Sequence, residues 1–444
     1  MRLRLALALT ALLAVPLGGA ALAGAEEPLP KARSGGGLEL VAQLPGTGGT
    51  DLEFLSRDLK RYRNAAGEMV ANSGKDKRRH FAVVGSETKN AEIVDITNPL
   101  KPFVAAEIPC TLSQGDIQVS SERSLVIMAN GTSKAAQDCL YRDAATGEMK
   151  PTPPGSAIVD IRNIYAPKVI GAAPTPSGSH NQSLMPGGRY LYIDTSEIVE
   201  AGSYVPIYDL KDPSRPKLAG EYRGPGNSPH DIRFNAKGTR AYTAGVSSFQ
   251  ILDTTNPIKP TMVSAFFPPG ATIGHDVVVS PDGAFLFAGD EAGGGLPYPC
   301  PGGAVHTYDI RNEANPVYLG QTFAATGPVT NRTLESTEVG AVGACTAHVM
   351  DLNPDKKSIT LGWYTAGSRV FDFSGLYDAA GKPRTTASLA YGGNGTGLVE
   401  TGFIIPDGAN TWSAKQYAPR PGYIFSDDLK LGFYVTKVPA APKG

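Results

Sequence analysis

Residues 230 to 267, HDIRFNAKGTRAYTAGVSSFQILDTTNPIKPTMVSAFF, recur in altered form along nearly the whole chain after the first forty residues. A repeat of this length restricts the fold to an array of one small unit. Within it, Asp231 to Phe234 alternates polar and apolar residues, Asn235-Ala236-Lys237-Gly238 is turn-rich, and Arg240 to Thr243 resumes the extended pattern. This predicts a hairpin. After a break at Gly245 to Ser248, a third strand is expected over Phe249 to Asp253. The rigid turn Asn256-Pro257-Ile258-Lys259-Pro260 follows, and a fourth strand over Met262 to Phe266. We call these strands A to D.

Strand C and its turn are the most regular part. Copies read EIVDITNPLKP (92 to 102), AIVDIRNIYAPK (157 to 168), PIYDLKDPSRPK (206 to 217), QILDTTNPIKP (250 to 260) and HTYDIRNEANP (306 to 316), with RVFDFSG (369 to 375) a weaker sixth. In the clear copies an Asp follows three strand residues, and a Pro-ended turn then stops the ladder because proline has no N–H to donate. The A-B hairpin recurs as SLMPGGRYLYI (183 to 193), VVVSPDGAFLFA (277 to 288) and VMDLNPDKKSITLG (349 to 362).

With these motifs the chain resembles the LVIVD-repeat β-propellers of secreted and cell-surface proteins, named after the strand C motif. The resemblance implies an all-β propeller and no single activity. The blade number comes from the chain ends. GFYVTKV (432 to 438) reads as a strand C with no D after it, and GLELVAQL (37 to 44) as a D with no A, B or C before it. A seven-bladed β-propeller closed by the N-terminal strand satisfies both, because pairing the two ends leaves no open edge. Strand A then starts near Asp51, Asp116, Asn181, Asp231, Asp276, Val349 and Ser413. The first and last units are the most degenerate, so six or eight blades stay open at this point.

Arg2 and Arg4, the apolar run Leu5 to Leu17 and the small residues around Ala21 to Ala25 read as a secretory signal peptide over residues 1–25. Residues 26–444 are then expected to form one propeller domain. The cleavage region is followed by no lipobox Cys, and no second apolar run is long enough to span a bilayer, so a soluble exported protein is expected. The net charge of -1 argues against nucleic-acid or anionic-membrane partners. The expected partner is a small-molecule or extracellular ligand, and the expected state a monomer. About 420 residues over seven repeats give about 60 per blade, within propeller periods once insertions are allowed.

Propeller topology puts the D-A and B-C loops on one face, and that face carries the long insertions: 130 to 156, 194 to 204, 289 to 304, 324 to 347 and 392 to 411. The charged stretch 57 to 80 falls on the other face and reads as a mobile loop. All four cysteines belong to the long-loop face, which predicts the pairs Cys110 with Cys139 and Cys300 with Cys345 in an oxidising compartment. The absence of CxxC makes a thiolate zinc site improbable.

Four of the six histidines, His180, His230, His275 and His348, stand immediately before strand A of consecutive blades. The equivalent residues elsewhere are Thr50, Gly115 and Trp412. Strand A is innermost in a propeller, so four imidazoles are expected to converge at the mouth of the central channel. Neutral imidazoles without thiolates suit copper, iron or zinc rather than calcium or magnesium. The arrangement is similar to that of two other propeller families. Carotenoid oxygenases hold iron on four His. The methanethiol oxidases related to selenium-binding proteins, in which copper is implicated, open strands with motifs similar to the PHD and GHD here. That similarity is one of geometry and carries no substrate. The competing reading is a single structural His copied by duplication. Asp231 and Asp276 are either carboxylates orienting the imidazoles or acceptors for turn amides.

His80 reads as a surface-loop residue and His306 as a strand residue. Glu197, Asp290 and Glu291 read as solvated loop charges more than as acid-base groups, Gly293-Gly294-Gly295 as a flexible loop, and Trp412 and Tyr298 as walls or packing of the mouth. Sequons start at Asn130, Asn181, Asn331 and Asn394. Neither a GxSxG elbow, a phosphate-binding loop nor HExxH is present. Two functions remain. One is a secreted metalloprotein, an oxidoreductase with a four-His copper or iron site at the channel mouth. The other is a non-catalytic propeller that binds a glycan, peptide or protein through its long loops.

Overall fold

The computed structural model describes residues 28–74, 76–195, 201–300, 302–324, 344–385 and 397–439. The expected signal peptide, Glu197 and the sequons at Asn331 and Asn394 lie outside the described residues. Seven antiparallel sheets form the seven blades, and each is read outward from its innermost strand. These innermost strands are Leu52–Asp58, Ile117–Ser120, Ser179–Leu184, Pro229–Phe234, Gly274–Val279, Met350–Leu352 and Thr411–Gln416. As the chain ends implied, Glu39–Leu44 pairs with Gly432–Lys437 and completes blade 7. A further strand was not foreseen. Ala32–Gly35 pairs with Val399–Pro406 and gives blade 6 a fifth strand, so the N-terminal segment binds the last two blades.

The repeated Asp of strand C shapes the turn that follows it. Asp95, Asp160, Asp209, Asp253, Asp309 and Asp372 each accept a hydrogen bond from the backbone N–H two residues on, at 2.8 to 3.1 Å. Such Asx turns end strand C at a fixed point. The same strand carries a register shift against strand D in blades 1 to 6, which adds local twist and keeps the blades propeller-shaped. Packing follows from the period of two. In strand B of blade 4, Tyr242 and Ala244 pack toward blade 5 while Ala241 packs toward blade 3. The described core divides into seven apolar clusters, one per interface between neighbouring blades, the seventh lying between blades 7 and 1.

Both predicted disulfides are present, Cys110 to Cys139 and Cys300 to Cys345. Two disulfides point to an oxidising compartment. No helix among the described residues is long and apolar enough to cross a membrane.

Several expectations are corrected by the fold. The stretch 57 to 80 is not a mobile loop. The first hairpin of blade 1 continues to the pair Asp58 and Arg78, and beyond it Arg61–Arg63 pairs with Met69–Ala71. Its charges are used locally: Arg79 stacks on the Tyr62 ring and pairs with Asp95, and Arg63 donates to the Ala105 carbonyl. His80 is a buried strand residue whose Nδ1 lies 3.2 Å from the Ser56 hydroxyl. Asn130 and Asn181 lie buried in strands, a setting that closes both sequons to a glycan.

Candidate metal centre

The site is built by one irregularity repeated around the ring. In blades 3, 4 and 5 the pairing of strands A and B slips at the histidine: between Ser179 and Asn181, between Pro229 and Asp231, and between Gly274 and Val277. A bulge leaves its extra residue out of the ladder and re-aims the side chain. Here it turns His180, His230 and His275 away from the blade and toward the channel mouth. Blade 7 has the same slip between Thr411 and Ser413, around Trp412. His348 comes just before the short innermost strand of blade 6, and its N–H donates to the Gly362 carbonyl at 3.0 Å.

The four imidazoles meet as the register predicted. Ring centroids are 4.2 Å apart between His180 and His230, 4.0 Å between His230 and His275, and 4.0 Å between His275 and His348. His180 Nε2 and His230 Nε2 are 2.6 Å apart, and the Gln114 amide lies 3.5 Å from the former. One residue joins them that was read as a solvated charge. Glu291 is 5 % exposed, and its carboxylate lies 3.7 Å from both His275 Nε2 and His348 Nε2. One ligand atom from each of His230, His275 and Glu291 falls within 4.8 Å of the other two. Asp290 is also buried, and accepts from the Thr272 and Ile273 amides, which fixes the loop entering blade 5.

Burial sets the electrostatics. His180 and His348 are lowered to about 4, and His230 and His275 lie well below the ordinary imidazole range, first through desolvation. For His230 and His275 the neighbouring imidazoles add to the effect. All four rings are therefore neutral at neutral pH, the form that has a lone pair to give. Burial pushes the Glu291 carboxyl up to about 7, against the hydrogen bonds it receives from Tyr364 and the Gly295 amide. His348 Nδ1 donates to the Trp412 carbonyl at 2.8 Å, which leaves Nε2 as the acceptor facing Glu291. Among the described residues, neither ring nitrogen of the buried His275 has a hydrogen-bond partner. An unsatisfied buried polar group costs about 1–3 kcal/mol, and a cation held between His230, His275 and Glu291 would satisfy one of these nitrogens.

Asp231 and Asp276 sit below the imidazoles. They accept from the Ile232 and Val277 amides, and both pair with Arg233. Asp276 also accepts from the Met350 amide at 2.6 Å. Among the described residues no imidazole is hydrogen-bonded to either, so their contacts are those of the amide-accepting alternative. With Lys415, which pairs with Asp51 and Glu53 at 2.9 Å each, they form a buried layer of ion pairs across the channel.

A cavity of about 540 Å³ adjoins the imidazoles, lined by His180, His230, His348 and Glu291 together with Gln114, Tyr364, Trp412 and Leu296. Trp412 thus walls the mouth, while Tyr298 packs on Gly293 and bridges to Ala344. Gly293, Gly294 and Gly295 have φ of 91°, 57° and 76°, a left-handed run that carries the loop back over Glu291. That loop is structural rather than a slack connector. Two site residues lie beyond the histidine register: Tyr364, which no motif marks, and Glu291, whose sequence setting favours a solvated loop charge over an acid-base group. The available signal was an acid one residue past strand B, directly across from a bulged His.

No protein-family model matches the chain and no curated protein does, so the LVIVD resemblance rests on the repeats alone. Solved structures do match. The chain is similar to Kuenenia stuttgartiensis hydrazine synthase, with a TM-score of 0.54 and 13 % identity over 81 % of this chain and 92 % of that one. It is also similar to the Cps50 (Swd1) β-propeller domain of Myceliophteria thermophila, with a TM-score of 0.54 and 9 % identity over 90 % of this chain and all of that one. At these identities the likeness shows a β-propeller and nothing of its chemistry.

Proposed function

We propose that this protein is an exported metalloprotein of LVIVD-type repeats whose centre holds one copper or iron ion, and that it acts as an oxidoreductase on a small molecule entering the cavity. The observation that carries the reading is the convergence of His230, His275 and Glu291, buried and within 4.8 Å of one another, with His348 3.7 Å from the same carboxylate. Imidazoles with one carboxylate are a donor set for first-row transition metals, and two His with one carboxylate is a recurring iron and zinc arrangement. His180 completes the four-His arc and borders the cavity, where a substrate would approach. Asp231 and Asp276 support the centre from below by anchoring the bulged strands. The oxidoreductase assignment rests on redox-active metals suiting these donors. Without a metal, the cavity and long loops favour a non-catalytic binding protein.

The test is metal content by mass spectrometry of the protein recovered from its exported form and dialysed against a weak chelator. The wild type should retain about one copper or iron per chain. His230→Ala, His275→Ala and Glu291→Ala should each lose most of it, since deletion of one ligand leaves an incomplete set. Negligible metal in all four proteins would overturn the reading.

A further inference from the structure

Tyr364 has an unusual backbone. Its φ is 44°, in the left-handed region that a bulky L-residue enters only under strain. The conformation is held by a two-way main-chain bridge to blade 7: Tyr364 N–H donates to the Thr411 carbonyl at 2.9 Å, and Thr411 N–H donates to the Tyr364 carbonyl at 2.8 Å. Its side chain ends at the site. The hydroxyl donates to Glu291 Oε1 at 2.7 Å, and the ring lies 4.6 Å from that of His348. The other end of the bridge leads to the site as well, because the residue after Thr411 is Trp412, whose carbonyl holds His348 Nδ1. Backbone strain that persists at such a place marks a conformation the surroundings impose for a purpose.

We infer that Tyr364 is a positioning residue for the metal centre, resting on the metal reading above. By occupying Glu291 Oε1 it leaves Oε2, the oxygen facing His275 Nε2 at 3.7 Å, to meet the ion as a single-oxygen ligand. The bridge to Thr411 fixes this hydroxyl and the Trp412 carbonyl in one frame, so the donor atoms of Glu291 and His348 are set together across blades 5, 6 and 7. Partners that orient metal ligands in this way are worth about 10–100-fold in affinity.

The experiment is a titration of the metal-free full-length protein with Co²⁺, followed by its visible absorption, on wild type, Tyr364→Phe, Glu291→Gln and the double variant. Tyr364→Phe keeps the ring and the backbone, and thermal scans establish that each variant is folded. The expected result is unchanged stoichiometry, binding weakened about 10–100-fold in Tyr364→Phe with an altered absorption band, and no further loss when Phe is added to Glu291→Gln. Wild-type affinity in Tyr364→Phe, or an equal loss with and without Glu291, would overturn the inference and leave the metal reading standing. A wild type that binds no Co²⁺ would overturn both.

Discussion

At the scale of single residues, the candidate centre depends on imidazoles that stay neutral because they are buried. His306 offers a control away from the centre. It lies in strand C of blade 5, with Nδ1 3.2 Å from the Tyr318 hydroxyl, and burial lowers it to about 4. The folded value lies below the unfolded value of 6.5, so the unfolded chain takes the proton first. Its contribution to stability is therefore complete above 6.5 and lost as the pH falls toward 4. Denaturant unfolding of wild type and His306→Phe at pH 7 and pH 4 should show the wild type losing up to about 3 kcal/mol more than the variant. Parallel losses would show that this imidazole is not held neutral. The four channel histidines were legible in the sequence because each stands just before strand A of its repeat, and three of them sit at a bulge that blades 3 to 5 share. Glu291 was not legible as a ligand. An acid in a glycine-rich loop reads as solvated, whereas the left-handed turn of Gly293 to Gly295, Tyr364 and the neighbouring imidazoles bury it.

At the scale of elements, strands and turns were read with few errors because the Asp of strand C and the proline turn repeat. The errors fell where pattern was weak. Ala32–Gly35 has no apolar alternation and owes its place to pairing with Val399–Pro406. The hairpin Arg61–Arg63 with Met69–Ala71 was hidden by its charges, although Arg63 stacks on the Tyr165 ring and donates to the Ala105 carbonyl. The N-terminal segment gives a prediction at this scale. Removing residues 28–36 takes one outer strand from blade 6, whereas removing 28–44 also takes strand D from blade 7 and exposes the closing seam. Thermal scans of the two truncations should show losses of under about 3 °C and over about 10 °C. Equal losses would mean that the ring is not closed through Glu39–Leu44.

At the scale of the whole molecule, the propeller converts a one-residue irregularity into a site. Blades 3, 4 and 5 each contribute one bulged histidine at the mouth, and with His348 of blade 6 the ring brings four imidazoles to centroid spacings of 4.0 to 4.2 Å. Trp412 from blade 7 takes the same place in the pattern and borders the cavity. Below this layer, Arg233 and Lys415 neutralise carboxylates from blades 1, 4 and 5, so that the strands carrying the histidines are cross-linked along the axis. Most seam stability comes from the apolar clusters, and a fold held there tolerates the loss of any one imidazole. Single His→Ala variants at the mouth should therefore remain folded while losing metal. The most direct measurement is an anomalous difference map at the absorption edge of the bound metal, from crystals of the copper- or iron-loaded protein. One peak at about 2.0 to 2.2 Å from a nitrogen of His230, a nitrogen of His275 and an oxygen of Glu291 is the predicted result, and a metal-loaded crystal with no peak between these three residues would contradict it.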